Sequence, residues 1–229
     1  MSELLQIGLL PVALTLIAFQ IGQWCQKKLR SPLCNPILVA VVIVLGFMAL
    51  TGLEGETYQT GAKQLSWLMT PATISLAIPM YEQLSVLKKN LRAILVGIAA
   101  GAVSCLVMVL LFSLAAGFDR ELTISLLPKS VTTAIGLPLS ELSGGITAIT
   151  SPAIILTGIV AGSMGTPLCK LFRLTDPIAQ GVAQGTSGHV IGTSKANDLG
   201  ELTGAVSSLS LVVAGLLTSI ILPFLVELL

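Results

Sequence analysis

The chain has 229 residues, of which 54% are hydrophobic and only 10% charged, with a formal net charge of +1; the mean hydropathy is +0.94. A soluble domain carries roughly 25% charged residues, so composition excludes an ordinary soluble globule and predicts an integral membrane protein. A net charge of +1 says nothing by itself about nucleic acid, but the basic aromatic tracts that such a partner needs are absent.

The apolar residues come in blocks near the ~20 residues that a helix needs to cross a bilayer. The first uncharged run covers 4–26 and is closed by Lys27, Lys28 and Arg30. Its start carries Glu3 and no basic segment, and no small-residue cleavage site follows Phe19, which predicts a retained first span rather than a signal peptide. The second run covers 32–53, and a loop with Glu54, Glu56 and Lys63 follows. Residues 64–81 form the third run, interrupted by Pro71 and Pro79 and therefore read as a kinked helix. It ends before Glu82, Lys88, Lys89 and Arg92, and the fourth run, 93–118, carries a Gly97/Gly101 pair suited to helix packing.

After the loop Asp119–Arg120–Glu121 the pattern changes. Residues 122–141 are long enough for a span but are interrupted by Pro128, Lys129 and Pro138. A long run, 142–169, follows with its own Gly158/Gly162 pair and is closed by Lys170 and Arg173. Residues 177–204 then carry the single histidine, a lysine and many Ser, Thr, Asn and Gly, before a last span at 202–226. In the polar stretch Gly181, Gly185, Gly188 and Gly192 fall at helical spacing, so a helix there would present one smooth stripe. Polar backbone at membrane depth is tolerated only inside protein or beside an aqueous cavity. The stretch is therefore read as lining a substrate site.

Charge placement gives the orientation. Lys and Arg concentrate in cytoplasmic loops, which puts the loops after the first and third runs inside and the N-terminus outside. If 122–141 crossed fully, Lys170 and Arg173 would lie outside, against this rule; if it dips in and returns, they lie inside. The re-entrant alternative is preferred. A short internal repeat agrees with it: TTAIG at 132–136 echoes GHVIG at 188–192, and ELSGGI at 141–146 echoes ELTGAV at 201–206. The expected fold is thus an all-α polytopic membrane protein of about six full spans plus two re-entrant or broken segments in an inverted repeat. Its N-terminal scaffold would cover 1–118 and its repeat-containing substrate region 119–229. Inverted repeats with discontinuous helices are a common build of secondary transporters.

Two groups of residues could carry chemistry. A lysine near the bilayer centre costs roughly 2.5–3.5 kcal/mol, so Lys129 either snorkels to an interface or faces a cavity and pairs with an anion. Ser130, Thr132 and Thr133 follow it with hydroxyls and a helix start. The second group is Thr186, Ser187, His189, Thr193, Ser194 and Lys195. His189 is either a satisfied interior residue or a ligand that also moves a coupled proton. Asn197, Asp198 and Glu201 read as solvated loop residues. Cys25, Cys34, Cys105 and Cys169 show no metal or redox spacing and read as reduced thiols in apolar surroundings. No nucleophile–base pair, metal-ligand spacing or phosphate loop occurs, so no enzyme activity and no cofactor is expected, with H+ or Na+ left open as a coupling ion.

The motifs LLPKSVTTAIG at 126–136, GTSGHVIGTSKA at 185–196 and PATISLAIPMYEQ at 71–83, with Asn35–Pro36, are similar to the LrgB/CidB family of bacterial membrane proteins over essentially the whole chain. The family usually has Pro-Ile-Ala at 134–136 and often Arg at position 195; a lysine there keeps the charge but loses the bidentate fork. The resemblance implies the bacterial cytoplasmic membrane and a small LrgA/CidA-type partner protein, and leaves self-association open. It implies one of two activities. One is carriage of small monocarboxylates, as in the related plastid glycolate/glycerate transporter. The other is holin- or antiholin-like control of murein hydrolase export and autolysis. The carrier reading accounts for Lys129, Ser130, Thr132, Thr133, Thr186, His189, Thr193 and Lys195 as a carboxylate site; a lytic pore does not need them.

Overall fold

The computed structural model describes residues 9–29 and 35–229, Leu76 excepted. Among them the secondary structure is helical, without strands. The chain forms two compact units, 1–75 and 76–229. Residues 4–8, the start of the first run, and Cys34 lie outside the described residues.

The first unit contains α1 (Leu9–Leu29), α2 (Pro36–Thr51), α3 (Gly55–Trp67) and α4 (Met69–Ser75). The Asn35 side chain accepts the Ile37 amide at 2.9 Å, with Pro36 in the first helical position, and Gly52 closes α2 at φ 68°. Both ends are thus specified by residue type. Ala18, Ala40 and Val44 form the small core of this unit. At Gly22 a Cβ would lie 2.5 Å from the Pro36 carbonyl oxygen, so only glycine lets α1 meet the start of α2. The Thr15 hydroxyl donates to the Pro11 carbonyl at 2.7 Å and accepts from the Tyr58 hydroxyl at 2.5 Å.

Here the structure departs from the expected six spans. Among the described residues four helices are long and apolar enough to cross a membrane: α1, 91–116, 147–171 and 201–227. The 16 residues of α2 fall short; at ~1.5 Å per residue they extend about 24 Å, against a hydrocarbon core of about 30 Å. The expected loop at 54–63 is mostly helix α3, and the third run is divided between the end of α3, α4 and α5 (Ala77–Glu82) instead of forming one kinked span. Pro71 and Pro79 each fall third in a short helix. Proline is tolerated in a first turn, whereas further in it removes a hydrogen bond and clashes with the preceding turn.

The second unit continues with α6 (Leu84–Lys89), α7 (Leu91–Ala116), α8 (Arg120–Leu126), a 3-10 turn (Leu127–Ser130), α9 (Thr133–Leu142), α10 (Thr147–Leu171), α11 (Pro177–Leu199) and α12 (Glu201–Glu227). Within this unit Leu87, Ile94, Ile98 and Ala102 share a core with Val206 and Ala214 of α12.

Both polar segments are helical hairpins. The Ser125 hydroxyl in α8 accepts the Ile146 amide at 2.7 Å, and Thr150 donates to the Ser125 carbonyl at 2.9 Å while lying 2.7 Å from the Ser140 hydroxyl. The chain therefore leaves Ser125, turns at 127–132 and returns beside it before α10 begins. In α11 the turn is a single residue, His189, at φ 41° and ψ −130°. Its first limb, 177–188, runs parallel to α12: Gly181 meets Thr203 and Val206, and Gly185 meets Ser207 and Ser210. Its second limb runs back, with Gly192 over the Gln184 carbonyl and Asn197 against Gly204.

The two hairpins start from opposite ends of the unit. Arg120, at the start of the first, donates to the Val226 carbonyl near the end of α12 at 3.0 Å, whereas α11 starts level with the beginning of α12. Each hairpin is followed by one long helix. Since α7 is parallel to the first limb of α11 (Gly97 facing Val182, Gly101 facing Thr186) and α10 antiparallel to it (Gly165 facing Gln184, Gly188 facing Ala161), Lys88, Lys89, Lys170 and Arg173 come to one end.

The close approach of α11 and α12 depends on the absence of side chains. A Cβ at Gly185 would lie 2.4 Å from the Ser207 carbonyl oxygen. Gly185→Val should destabilise the protein by about 1–3 kcal/mol, seen as a lower melting temperature in detergent. Gly46→Ala, with nothing within 4 Å of its Cβ, should leave the transition unchanged or raise it.

Candidate functional site

The turn of the first hairpin and the end of the first limb of the second face a cleft of about 710 Å³ between α7, α10 and α11. The first hairpin contributes Lys129 and Ser130, the second Thr186 and Ser187, α7 contributes Cys105 and α10 contributes Thr157. Lys129 is half-buried and, among the described residues, has no hydrogen-bond or ion-pair partner. The Ser130 hydroxyl lies 2.8 Å from the Cys105 thiol. Thr186 donates to the Val182 carbonyl at 2.7 Å, and Ser187 to the Ala183 carbonyl at 2.6 Å; both keep acceptor lone pairs. Gly101 lets Thr186 come close, since a Cβ there would lie 3.1 Å from its hydroxyl oxygen. Met108, Leu156, Val160 and Met164 form an apolar rim.

His189 lies behind this cleft. It is 5% exposed, and its Nε2–H donates to the Ile154 carbonyl of α10 at 3.0 Å, which fixes the tautomer. Gly158 makes the space: a Cβ there would lie 2.5 Å from Cε1 and 2.6 Å from Nε2 of the imidazole. A non-glycine residue at positive φ costs of order 1–3 kcal/mol, and this anchoring holds His189 in that conformation. The Gly158/Gly162 pair, read from the sequence as helix packing, thus receives the turn itself, with Ile191 against Gly162.

The remaining expected site residues are placed elsewhere. Thr132 precedes α9 in an extended conformation without a capping side-chain bond, and Thr133 opens that helix; neither lines the cleft. Thr193 is fully buried, donating to the His189 carbonyl at 2.8 Å and pairing with Ser207 at 2.9 Å, so it ties the second limb to α12. Lys195 pairs with Asp198 at 3.1 Å on an exposed surface. Cys105 and Thr157 were not expected in the site; Cys105 lies one turn after Gly101 on the same face of α7, the signal that could have found it. No group of three or more His, Cys, Asp or Glu able to hold a metal occurs among the described residues.

A family model described as the LrgB-like family matches residues 15–228. The chain belongs to this family. No solved structure matches it. Within this LrgB-like protein two of the three stretches that carried the sequence resemblance, 126–136 and 185–196, contain the turns of the two hairpins.

The apposition of the first turn and α7 can be tested by cross-linking. In a background with Cys25, Cys34 and Cys169 replaced by alanine, Ser130→Cys should form an oxidant-induced disulfide with Cys105, since the two side-chain ends lie 2.8 Å apart. It would be read as a shift in the mobility of proteolytic fragments on a gel. A Thr132→Cys variant should cross-link far less.

Proposed function

We propose that this LrgB-like protein is a secondary carrier of small monocarboxylates, of the glycolate, glycerate, pyruvate and lactate class, working by alternating access. The observation that carries the reading is Lys129: a half-buried ammonium without a protein partner, lining a cleft at which two broken helices converge. A buried charge persists where something compensates it, and a carboxylate held by Lys129, Ser130, Thr186 and Ser187 would do so. His189 then acts as the residue that fixes the second turn, and Thr132, Thr133, Thr193 and Lys195 shape the hairpins around the site.

The two hairpins are read as re-entrant segments that enter the bilayer from opposite sides. Supporting this are the return of the first hairpin beside Ser125, the return of the second along its own first limb and the placement of Lys88, Lys89, Lys170 and Arg173 at one end, the arrangement that puts basic residues on the cytoplasmic side. The N-terminus is then outside, the bilayer is the bacterial cytoplasmic membrane, and a small LrgA/CidA-type protein is the partner. Holin- or antiholin-like control of autolysis would require leakage of unrelated solutes or a regulated export path, for which an unpaired lysine in a cleft has no use.

With the partner supplied, Lys129→Ala should lower saturable uptake of labelled glycolate, lactate or pyruvate by tenfold or more without releasing an entrapped dye. Uptake equal to wild type would remove Lys129 from the mechanism, and dye release would favour the pore. A cysteine introduced at Thr175, between α10 and α11, should resist an impermeant thiol reagent added from outside; labelling there would show that the first hairpin crosses fully.

A further inference from the structure

Beside the main cleft is a much smaller enclosed space of about 10 Å³, where both hairpins cross α7 and α12. Four elements each send one polar side chain to it: Cys105 from α7, Ser130 from the 3-10 turn, Thr186 from α11 and Thr218 from α12. The space is the size of one water-sized occupant. Thr218 is 5% exposed and has no hydrogen-bond partner among the described residues. The Thr186 proton is committed to the Val182 carbonyl, so its oxygen is left as an acceptor. The 3-10 turn ends where Val131 becomes extended (φ −101°, ψ 173°); the Val131 amide closes onto the Pro128 carbonyl at 3.1 Å, which leaves the Lys129 and Ser130 carbonyls without a following helical amide. Converging hydroxyl oxygens, one of them with its proton already committed, beside the C-terminal end of a broken helix are the surroundings of a hard cation.

We propose that this crossing point binds Na+ through the hydroxyl oxygens of Ser130, Thr186 and Thr218, and that the ion moves with the carboxylate of the adjoining cleft. The proposal rests on the carrier reading. Ser130, Thr186 and Cys105 line both spaces, so ion and anion share a wall. Cys105 is a soft ligand; its contact with Ser130 orients that hydroxyl. Two electrostatic arguments point the same way. A monoanion moving alone into a negative interior works against ~2.3 kcal/mol per 100 mV, which one co-transported cation cancels. Among the described residues no Asp or Glu lines either space, so no carboxylate is placed to bring in a proton. The Lys129 ammonium opposes a second cation nearby until a carboxylate neutralises it, so Na+ and carboxylate must strengthen one another's binding by the same factor.

The test uses the full-length purified protein and radiolabelled Na+. Wild type should bind Na+ saturably and at least about fivefold more tightly with pyruvate present, at the lower end of typical coupling. Thr218→Val and Thr186→Val should each weaken Na+ binding by about tenfold, ~1.4 kcal/mol, with melting temperatures in choline chloride near that of wild type; Thr218→Ser should retain binding. Absence of saturable Na+ binding, or binding unchanged in Thr218→Val, overturns the site and leaves a space that holds water. Pyruvate uptake into proteoliposomes at equal rates in Na+ and choline overturns ion coupling while the carrier reading stands. Thr218-dependent Na+ binding in a protein that takes up no carboxylate supports the site and overturns the reading.

Discussion

The structure depends on satisfying backbone where two helices stop inside an apolar protein. A freed amide or carbonyl in hydrocarbon costs several kcal/mol, so each break must be enclosed by its own protein. The second hairpin does this with glycine. Gly181 and Gly185 bring its first limb against α12, and Gly192 brings its second limb over the Gln184 carbonyl. Without these approaches the hairpin would have space at its centre and the turn at His189 would lack the contact with α10 that holds it.

The two hairpins solve the same problem differently, and the difference bears on chemistry. The first turns through a 3-10 segment containing Pro128 and closes with hydroxyls: Ser125, Ser140 and Thr150 form one buried cluster. Hydroxyl contacts leave the turn residues free to face the cleft, and Lys129 and Ser130 do so. The second turns at one strained residue whose side chain is used for anchoring, so the preceding Thr186 and Ser187 supply its polar groups to the cleft. The site is therefore asymmetric: among the described residues its lining has a cation, Lys129, on one hairpin and hydroxyls on both.

Much of this was legible in the sequence because glycine spacing and misplaced polar residues carry direct physical meaning. The glycines of 181–192 marked close backbone approaches, although the break at His189 divides them between two limbs instead of the one stripe expected, and Pro128–Lys129 marked a break. The breaks of the third run were misjudged because two prolines in an apolar run fit one kinked helix as well as two short helices with prolines in their first turns. The role of His189 was also hidden. Its imidazole partner, the Ile154 carbonyl, lies 35 residues away on another helix, and no local pattern reports a backbone acceptor. Cys105 was obscured by its composition, since a thiol in an apolar run reads as packing until the helix facing it is known.

Lys129 and Lys195 occupy comparable motifs and show why sequence position alone does not make a site. Lys195 lies six residues past the turn at His189, about 9 Å along the helix at ~1.5 Å per residue. It meets Asp198 one turn later, and exposed pairs of this kind contribute little energy. Lys129 lies within its turn, close to the opposing hairpin, and among the described residues no Asp or Glu lines the cleft with it. The first lysine is neutralised by its own helix; the second keeps its charge directed at the cleft. A cation held without a partner among apolar helices is costly to the fold, and among the described residues no side chain relieves that cost. On the proposed carrier reading the compensating negative charge is the ligand's, and Lys129 is the strongest argument for that reading.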